Sequence, residues 1–296
     1  MKLSEAGEDR VLAQLLPALS RNSSVVLGAG DDCAVVRFPG RANFQLLKTD
    51  CIVEGIHFTA TTPPALVGWK AMARPLSDFA AMSGVPQFAL VTMIVPAERT
   101  LAWVKKIYRG LEKAGRAFGV AIVGGETSNI KGPAVISVSL TGFVENDRWV
   151  GRSGGKAKDE LFVTGRLGGS LRGRHLKFKP RIEESRWLTR NFSIHAMMDL
   201  SDGLGADLPR LARASCVGFE ADEAALPLNT GCTTKQAISD GEDYELLFAI
   251  SPGESARLKK SWSRRFPKLP LTRIGRLRSS LGIRHSKLPP GYVHFK

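Results

Sequence analysis

Strand-like apolar runs alternate with segments of helical period along the whole chain, which predicts a mixed α and β fold. Composition turns polar and glycine-rich over residues 146–158 before a new apolar run begins, dividing the chain into 1–150 and 151–296. The length agrees, since 296 residues suit one large domain or two of ordinary size.

Residues 8–20 carry Val11, Leu12, Leu15, Leu16 and Leu19 at helical spacing and are read as an amphipathic helix. Two short apolar runs, Val25-Val26-Leu27 and Phe44-Gln45-Leu46-Leu47, each lead into acid, at Asp31-Asp32 and at Asp50. A helix is expected from Pro64, since proline suits a first helical position, and it carries Leu66, Trp69 and Met72. Pro75 is expected to end or kink that helix by removing a hydrogen bond. Ser77 then caps a restart that Gly84 stops. Residues 88–95 read as a strand and 101–118 as a helix. Residues 120–123 read as a buried strand opening into Gly124-Gly125-Glu126-Thr127, and 135–144 as a further strand. In the second half, 161–164 and 245–250 are strand-like, while 203–214 and 254–264 have helical character.

Charge is uneven. Lys and Arg total 42 against 28 Asp and Glu, a net charge of +14, and no acid follows Glu254. The basic run from Arg257 to Lys296 reads as a contact surface for nucleic acid, membrane or an acidic partner, or as a solvated face on an enzyme. The solvated face is the preferred reading. No aromatic ladder accompanies the charge, so specific nucleic-acid binding is not expected, only a weak salt-sensitive term. No run of about 18 apolar residues is present to span a membrane. The acidic start, MKLSEAGEDR, does not read as a secretory signal. Cys33, Cys51, Cys216 and Cys232 stand singly, which fits a reducing compartment and argues against structural zinc. A cytoplasmic protein is expected.

The informative residues are the acids. Asp31, Asp32, Asp50, Asp78, Glu126, Asp199, Asp202, Glu242 and Asp243 lie beside Gly, Ser or Thr, most just after an apolar run. Any one could cap a helix or shape a turn. Together they suit Mg²⁺, which prefers hard oxygen ligands, with a phosphate substrate completing the charge balance. Standard phosphate motifs fail. Residues 151–157 fall one short of a P-loop and lack its final Ser or Thr, and Gly28-Ala29-Gly30 lacks the third glycine of a dinucleotide turn.

In order, the chain contains Gly28-Ala29-Gly30-Asp31-Asp32-Cys33-Ala34, Thr49-Asp50, Gly55-Ile56-His57-Phe58, Leu76-Ser77-Asp78-Phe79-Ala80-Ala81-Met82 and Gly124-Gly125-Glu126-Thr127. Asp199-Leu200-Ser201-Asp202-Gly203-Leu204, Gly241-Glu242-Asp243-Tyr244-Glu245-Leu246 and Gly291-Tyr292-Val293-His294-Phe295 follow. Nearly end to end, this series resembles the thiamine-monophosphate kinase family, of the superfamily that includes aminoimidazole ribonucleotide synthase. The resemblance implies an α/β plus α+β, two-domain aminoimidazole ribonucleotide synthase-like fold. Residues 1–150 would bind ATP and Mg²⁺ and pair their sheets in a homodimer, and 151–296 would form the α+β domain. It also implies transfer of the ATP γ-phosphate to thiamine monophosphate. Asp32, Thr49, Asp50, Asp78, Glu126, Asp199 and Asp202 match metal-binding positions, with Asp50, Asp78 and Asp202 assigned as catalytic. Gly125, Glu126, Arg152 and Ser201 match nucleotide-binding positions. His57 and Glu242 match substrate-binding ones.

Departures from the family pattern are specific. Glu126 stands where the family has aspartate, Lys48 where it has a metal-binding serine, and Pro75 where it has asparagine. Near Pro289 an aromatic that packs on thiamine is replaced, and the segment between Gly169 and Arg181 is short. Two alternatives therefore stay open: a related ATP-dependent enzyme acting on another small molecule, or a nonenzymatic nucleotide-binding relative. Lys48 also has two readings. Strand alternation puts it on the face of Leu46, opposite Thr49, so its ammonium either turns toward the acids or is simply solvated.

Overall fold

The computed structural model describes residues 2–20, 22–279 and 288–292. Two sheets organise it. The first has six strands in the order β1-β2-β3-β6-β4-β5: β1 (Val25–Leu27), β2 (Ala34–Val36), β3 (Asn43–Val53), β4 (Val85–Val95), β5 (Ala121–Asn129) and β6 (Val135–Glu145). Its pairs are antiparallel except β4 with β5, which α3 (Leu101–Phe118) connects. A Thr100 side chain accepts from the Trp103 N–H to start α3, and Gly119 at φ 71° closes it.

Helix α2 (Pro64–Ala81) packs with α3 over one face of this sheet, around Leu46, Val91, Val138, Met72, Phe79 and Ile107. The two helices approach closely through paired glycines. A Cβ on Gly68 would lie 2.0 Å from the Ile107 carbonyl oxygen, and one on Gly110 would lie 2.0 Å from that of Ala65. Contrary to the expected break at Pro75, α2 runs through it as one helix. Nearly every residue from Val67 to Ala81 is buried, and that packing outweighs the lost backbone hydrogen bond.

The second sheet has five antiparallel strands in the order β8-β10-β7-β11-β9. They are β7 (Glu160–Thr164), β8 (Ile194–Asp199), β9 (Gly218–Ala221), β10 (Leu246–Ile250) and β11 (Leu271–Arg278). Helices α5 (Leu204–Ala214) and α6 (Thr234–Ser239) share one core with it. Helices α4 (Ile182–Asn191) and α7 (Pro252–Arg265) share the other, through Leu188, Leu258 and Trp262. Strand β10 is buried along its whole length because both faces are covered.

Two further expectations need correction. Helix α1 (Leu3–Leu15) starts earlier than its leucine pattern suggests, kinks at Gly7, and leaves Leu12 and Leu15 exposed. Residues 124–127 do not open a turn, since hydrogen bonding to β4 keeps them within β5. Five arginines of the basic C-terminal region pair with acids. Arg257 meets Glu254 at 2.6 Å, Arg265 meets Glu183 at 2.5 Å and Arg273 meets Glu160 at 2.7 Å, while Arg276 and Arg278 share Glu220. Arg284, Lys287, Lys296 and the Val293-His294-Phe295 string lie outside the described residues.

Candidate active site

Three carboxylates converge where the two halves meet. Asp32 comes from the turn before β2, Asp78 from the last turn of α2 and Asp199 from the end of β8, with one oxygen of each within 4.8 Å of the others. All three are buried. Arg152 Nη2 donates to Asp32 Oδ1 at 2.5 Å, and Ser77 Oγ donates to Asp199 Oδ2 at 2.5 Å. Lys48 Nζ donates to Asp78 Oδ1 at 2.8 Å, so of its two readings the inward one holds. Asp32 Oδ2 is buried with no hydrogen-bond partner. Burial pushes the Asp199 carboxyl up to about 7, with Asp32 beside it adding to the rise. It also pushes Asp31 up to about 6 and Asp78 well above its ordinary range. Converging hard oxygen donors with one oxygen left unpaired suit a divalent cation of the Mg²⁺ type.

Asp50 borders this cluster. It lies on the inner face of β3, where Arg74 Nε stands 3.7 Å from its Oδ2. Thr49 does not join the cluster. Alternation turns its hydroxyl to the opposite, open face, where it meets Ser139 Oγ at 3.1 Å. Gly125 and Glu126 are also elsewhere, on edge strand β5. Glu126 shares a row with Thr92, Ser137 and Cys51, three strands from β3. At about 4.8 Å per step that is roughly 14 Å away.

Beside the cluster is a pocket lined by His57, Arg74, Ser201, Asp202, Glu242 and Tyr292, among others. Two loops build its floor: the Glu242 N–H donates to Ser201 O at 2.7 Å, and the Tyr244 N–H to Leu200 O at 2.8 Å. These bonds hold Glu242 and Tyr244 at φ 52° and 53°, a left-handed conformation costing non-glycine residues on the order of 1 kcal/mol or more each. Asp202 is paired with Arg210, which also meets the buried Asp207 at 3.1 Å. His57 Nδ1 accepts from the Val53 N–H at 3.0 Å, which leaves the proton of the neutral ring on Nε2.

Sequence reasoning missed Lys70. Its fully buried ammonium donates to Glu242 Oε1 at 2.6 Å, Glu242 Oε2 at 2.8 Å and the His57 carbonyl at 2.7 Å. Burial pulls its pKa down to about 8, and Glu242 opposes that fall. The available signal was helical spacing, which puts Lys70, Arg74, Ser77 and Asp78 on one face of α2. Arg74 and Ser77 were missed as partners of acids. Tyr292 supplies an aromatic ring at the pocket near Pro289, tied down by its N–H to Asp202 O at 2.8 Å.

Residues 30–144 match the family AIR synthase related protein, N-terminal domain, and residues 145–276 match its C-terminal domain. A Rhodopirellula baltica protein named thiamine-monophosphate kinase is 37% identical, with 97% of each chain covered. The chain belongs to the thiamine-monophosphate kinase family. Its fold agrees with that membership: the solved structure "AaThiL complexed with AMPPCP and TMP" superposes with a TM-score of 0.84 at 31% identity, covering 99% of both chains. Thiamine-monophosphate kinase from Stenotrophomonas maltophilia gives 0.75 at 28% identity, covering 94% of this chain and 95% of that one.

Proposed function

We propose that this chain is an ATP- and Mg²⁺-dependent phosphotransferase that converts thiamine monophosphate to thiamine diphosphate. The observation carrying this reading is the trio Asp32, Asp78 and Asp199, with an unpaired buried oxygen, directly beside the pocket of Ser201, Asp202 and Glu242. Full-length similarity to thiamine-monophosphate kinases, one solved with AMPPCP and TMP, supports the choice of substrates.

In this reading an oxygen of the acceptor phosphate attacks the γ-phosphorus, the bond to the β–γ bridging oxygen breaks, and ADP leaves. Asp32, Asp78 and Asp199 would hold Mg²⁺, with Asp50 and Asp202 at the margins, and the bound ion would neutralise triphosphate charge. The chain's own contribution is positioning. Arg152 fixes Asp32, and Ser77 fixes Asp199. Lys70 holds Glu242 against the backbone of His57, so that Glu242, His57 and Tyr292 face the thiamine end of the acceptor. Ser201 and Arg152 are assigned to the nucleotide.

Thr49, Gly125 and Glu126 fit this reading only in a homodimer. Leu47, Phe88 and Leu90 lie exposed on the sheet face opposite α2 and α3, together with Thr49 and Glu126. A second copy covering that apolar face would enclose Thr49 and Glu126 in the interface. Residues 1–150 and 151–296 are proposed as the two domains of each protomer. We assign the protein to the cytoplasm, where ATP and Mg²⁺ are both available. No helix among the described residues is long and apolar enough to cross a membrane.

The test is ATP turnover with Mg²⁺, with and without thiamine monophosphate. Turnover that requires both agrees with the proposal. Turnover indifferent to thiamine monophosphate assigns another acceptor, and the absence of any nucleotide binding leaves a nonenzymatic relative.

A further inference from the structure

The acid cluster contains two protein cations that cross the gap between β3 and α2 in opposite directions. Lys48 of β3 reaches Asp78 of α2, Nζ to Oδ1 at 2.8 Å. Arg74 of α2, one turn before Asp78, reaches back to Asp50 of β3 at 3.7 Å and donates to the Cys51 carbonyl at 2.9 Å. Both side chains are mostly buried, 21% and 14% exposed, so water does little to screen them. Lys48 takes an Asp78 oxygen that a metal ion would otherwise compete for.

Counting charges gives this arrangement a consequence. Asp31, Asp32, Asp50, Asp78 and Asp199 face Lys48, Arg74 and Arg152. Three side-chain cations among these five carboxyl groups leave room for one divalent ion. Asp32 Oδ2, buried and unpartnered, is the acceptor left to receive it. A lysine ammonium is a compact point charge that neutralises an acid but cannot organise ligands as a metal does.

We propose that Lys48 and Arg74 are built-in cations of the metal cluster. They stand in for a second divalent ion beside Asp78 and Asp50, so the nucleotide-free protein holds a single ion, among Asp32, Asp78 and Asp199. This inference rests on the metal-site reading above. It adds that the chain's own side chains, and not solution Mg²⁺ alone, set the metal count.

The test is Mn²⁺ titration of the nucleotide-free full-length protein, counting bound ions by electron paramagnetic resonance. The parent and Lys48→Arg, which keeps the charge, should each bind one equivalent. Lys48→Met should bind two, and Arg74→Leu provides an independent variant in which the count should also rise. Lys48→Met should also have a lower melting temperature without metal and a larger metal-induced rise than the parent. Two or more equivalents in the parent, or an unchanged count in Lys48→Met and Arg74→Leu, overturns the inference while leaving the metal site standing. No binding to the parent at all sinks the metal-site reading and this inference with it.

Discussion

Ser77 Oγ donates a 2.5 Å hydrogen bond to Asp199 Oδ2, joining the last turn of α2 to the end of β8. Ser77 is the neighbour of Asp78, so this bond sets the position of one cluster carboxylate from beside another. Ser77→Ala removes the hydroxyl partner of that oxygen without touching the other cluster pairs. It should weaken Mg-nucleotide binding by about tenfold to a hundredfold, in line with about 1.5–3 kcal/mol for a hydrogen bond to a charged group. Calorimetry checks this, and wild-type affinity in the variant would show that the bond orients nothing.

Asp78→Asn and Asp202→Asn address the two sides of the site. Each should reduce Mg-ATP binding at least tenfold, because cluster and pocket together must neutralise the triphosphate. Calorimetric binding like the parent's in both variants would mean that the nucleotide lies elsewhere.

Lys70→Met strips Glu242 of the cation that holds it. Removing one member of a buried pair leaves the other uncompensated, so the variant should lose about 3 kcal/mol in denaturant unfolding. Adding Glu242→Gln should recover part of that loss while leaving the KM for the acceptor raised. Equal stability of parent and Lys70→Met would contradict the pairing.

The pH dependence has a definite sign. Burial raises Asp199 to about 7 and Asp31 to about 6, whereas in the unfolded chain both titrate near the ordinary carboxyl value of 3.8. Between about pH 4 and pH 7 the folded, metal-free protein keeps protons that the unfolded chain has released. This stabilisation is complete below the unfolded values and is lost as pH rises through the folded ones. Mg²⁺ favours the ionised carboxylates, so the rise in melting temperature on adding Mg²⁺ should grow from pH 5 to pH 8. A rise of the same size at both ends would separate the metal from these acids.

Part of this architecture is legible in the sequence for plain reasons. Thr100 and Gly119 bracket α3, and the acids after apolar runs mark the cluster, because both signals are local. The pairings are not local. Lys70 and Glu242 are 172 positions apart, and nothing near Lys70 announces its partner. Helix α2 passes Pro75 because tertiary burial overrides a local preference. Strand β8 was overlooked since Ala196, Met197 and Met198 are buried in succession and show no alternation. Thr49 could have been separated from Asp50 by strand alternation alone, but the row that carries Glu126 depends on the order of four strands.

Transfer of a phosphoryl group from ATP to thiamine monophosphate can be followed by the label it carries. The protein is incubated with Mg²⁺, ATP labelled at its γ-phosphate and thiamine monophosphate, and the products are separated. Label is expected in thiamine diphosphate, equimolar with ADP and abolished by chelating the metal. Label found only in inorganic phosphate, or in ATP left intact, would contradict it.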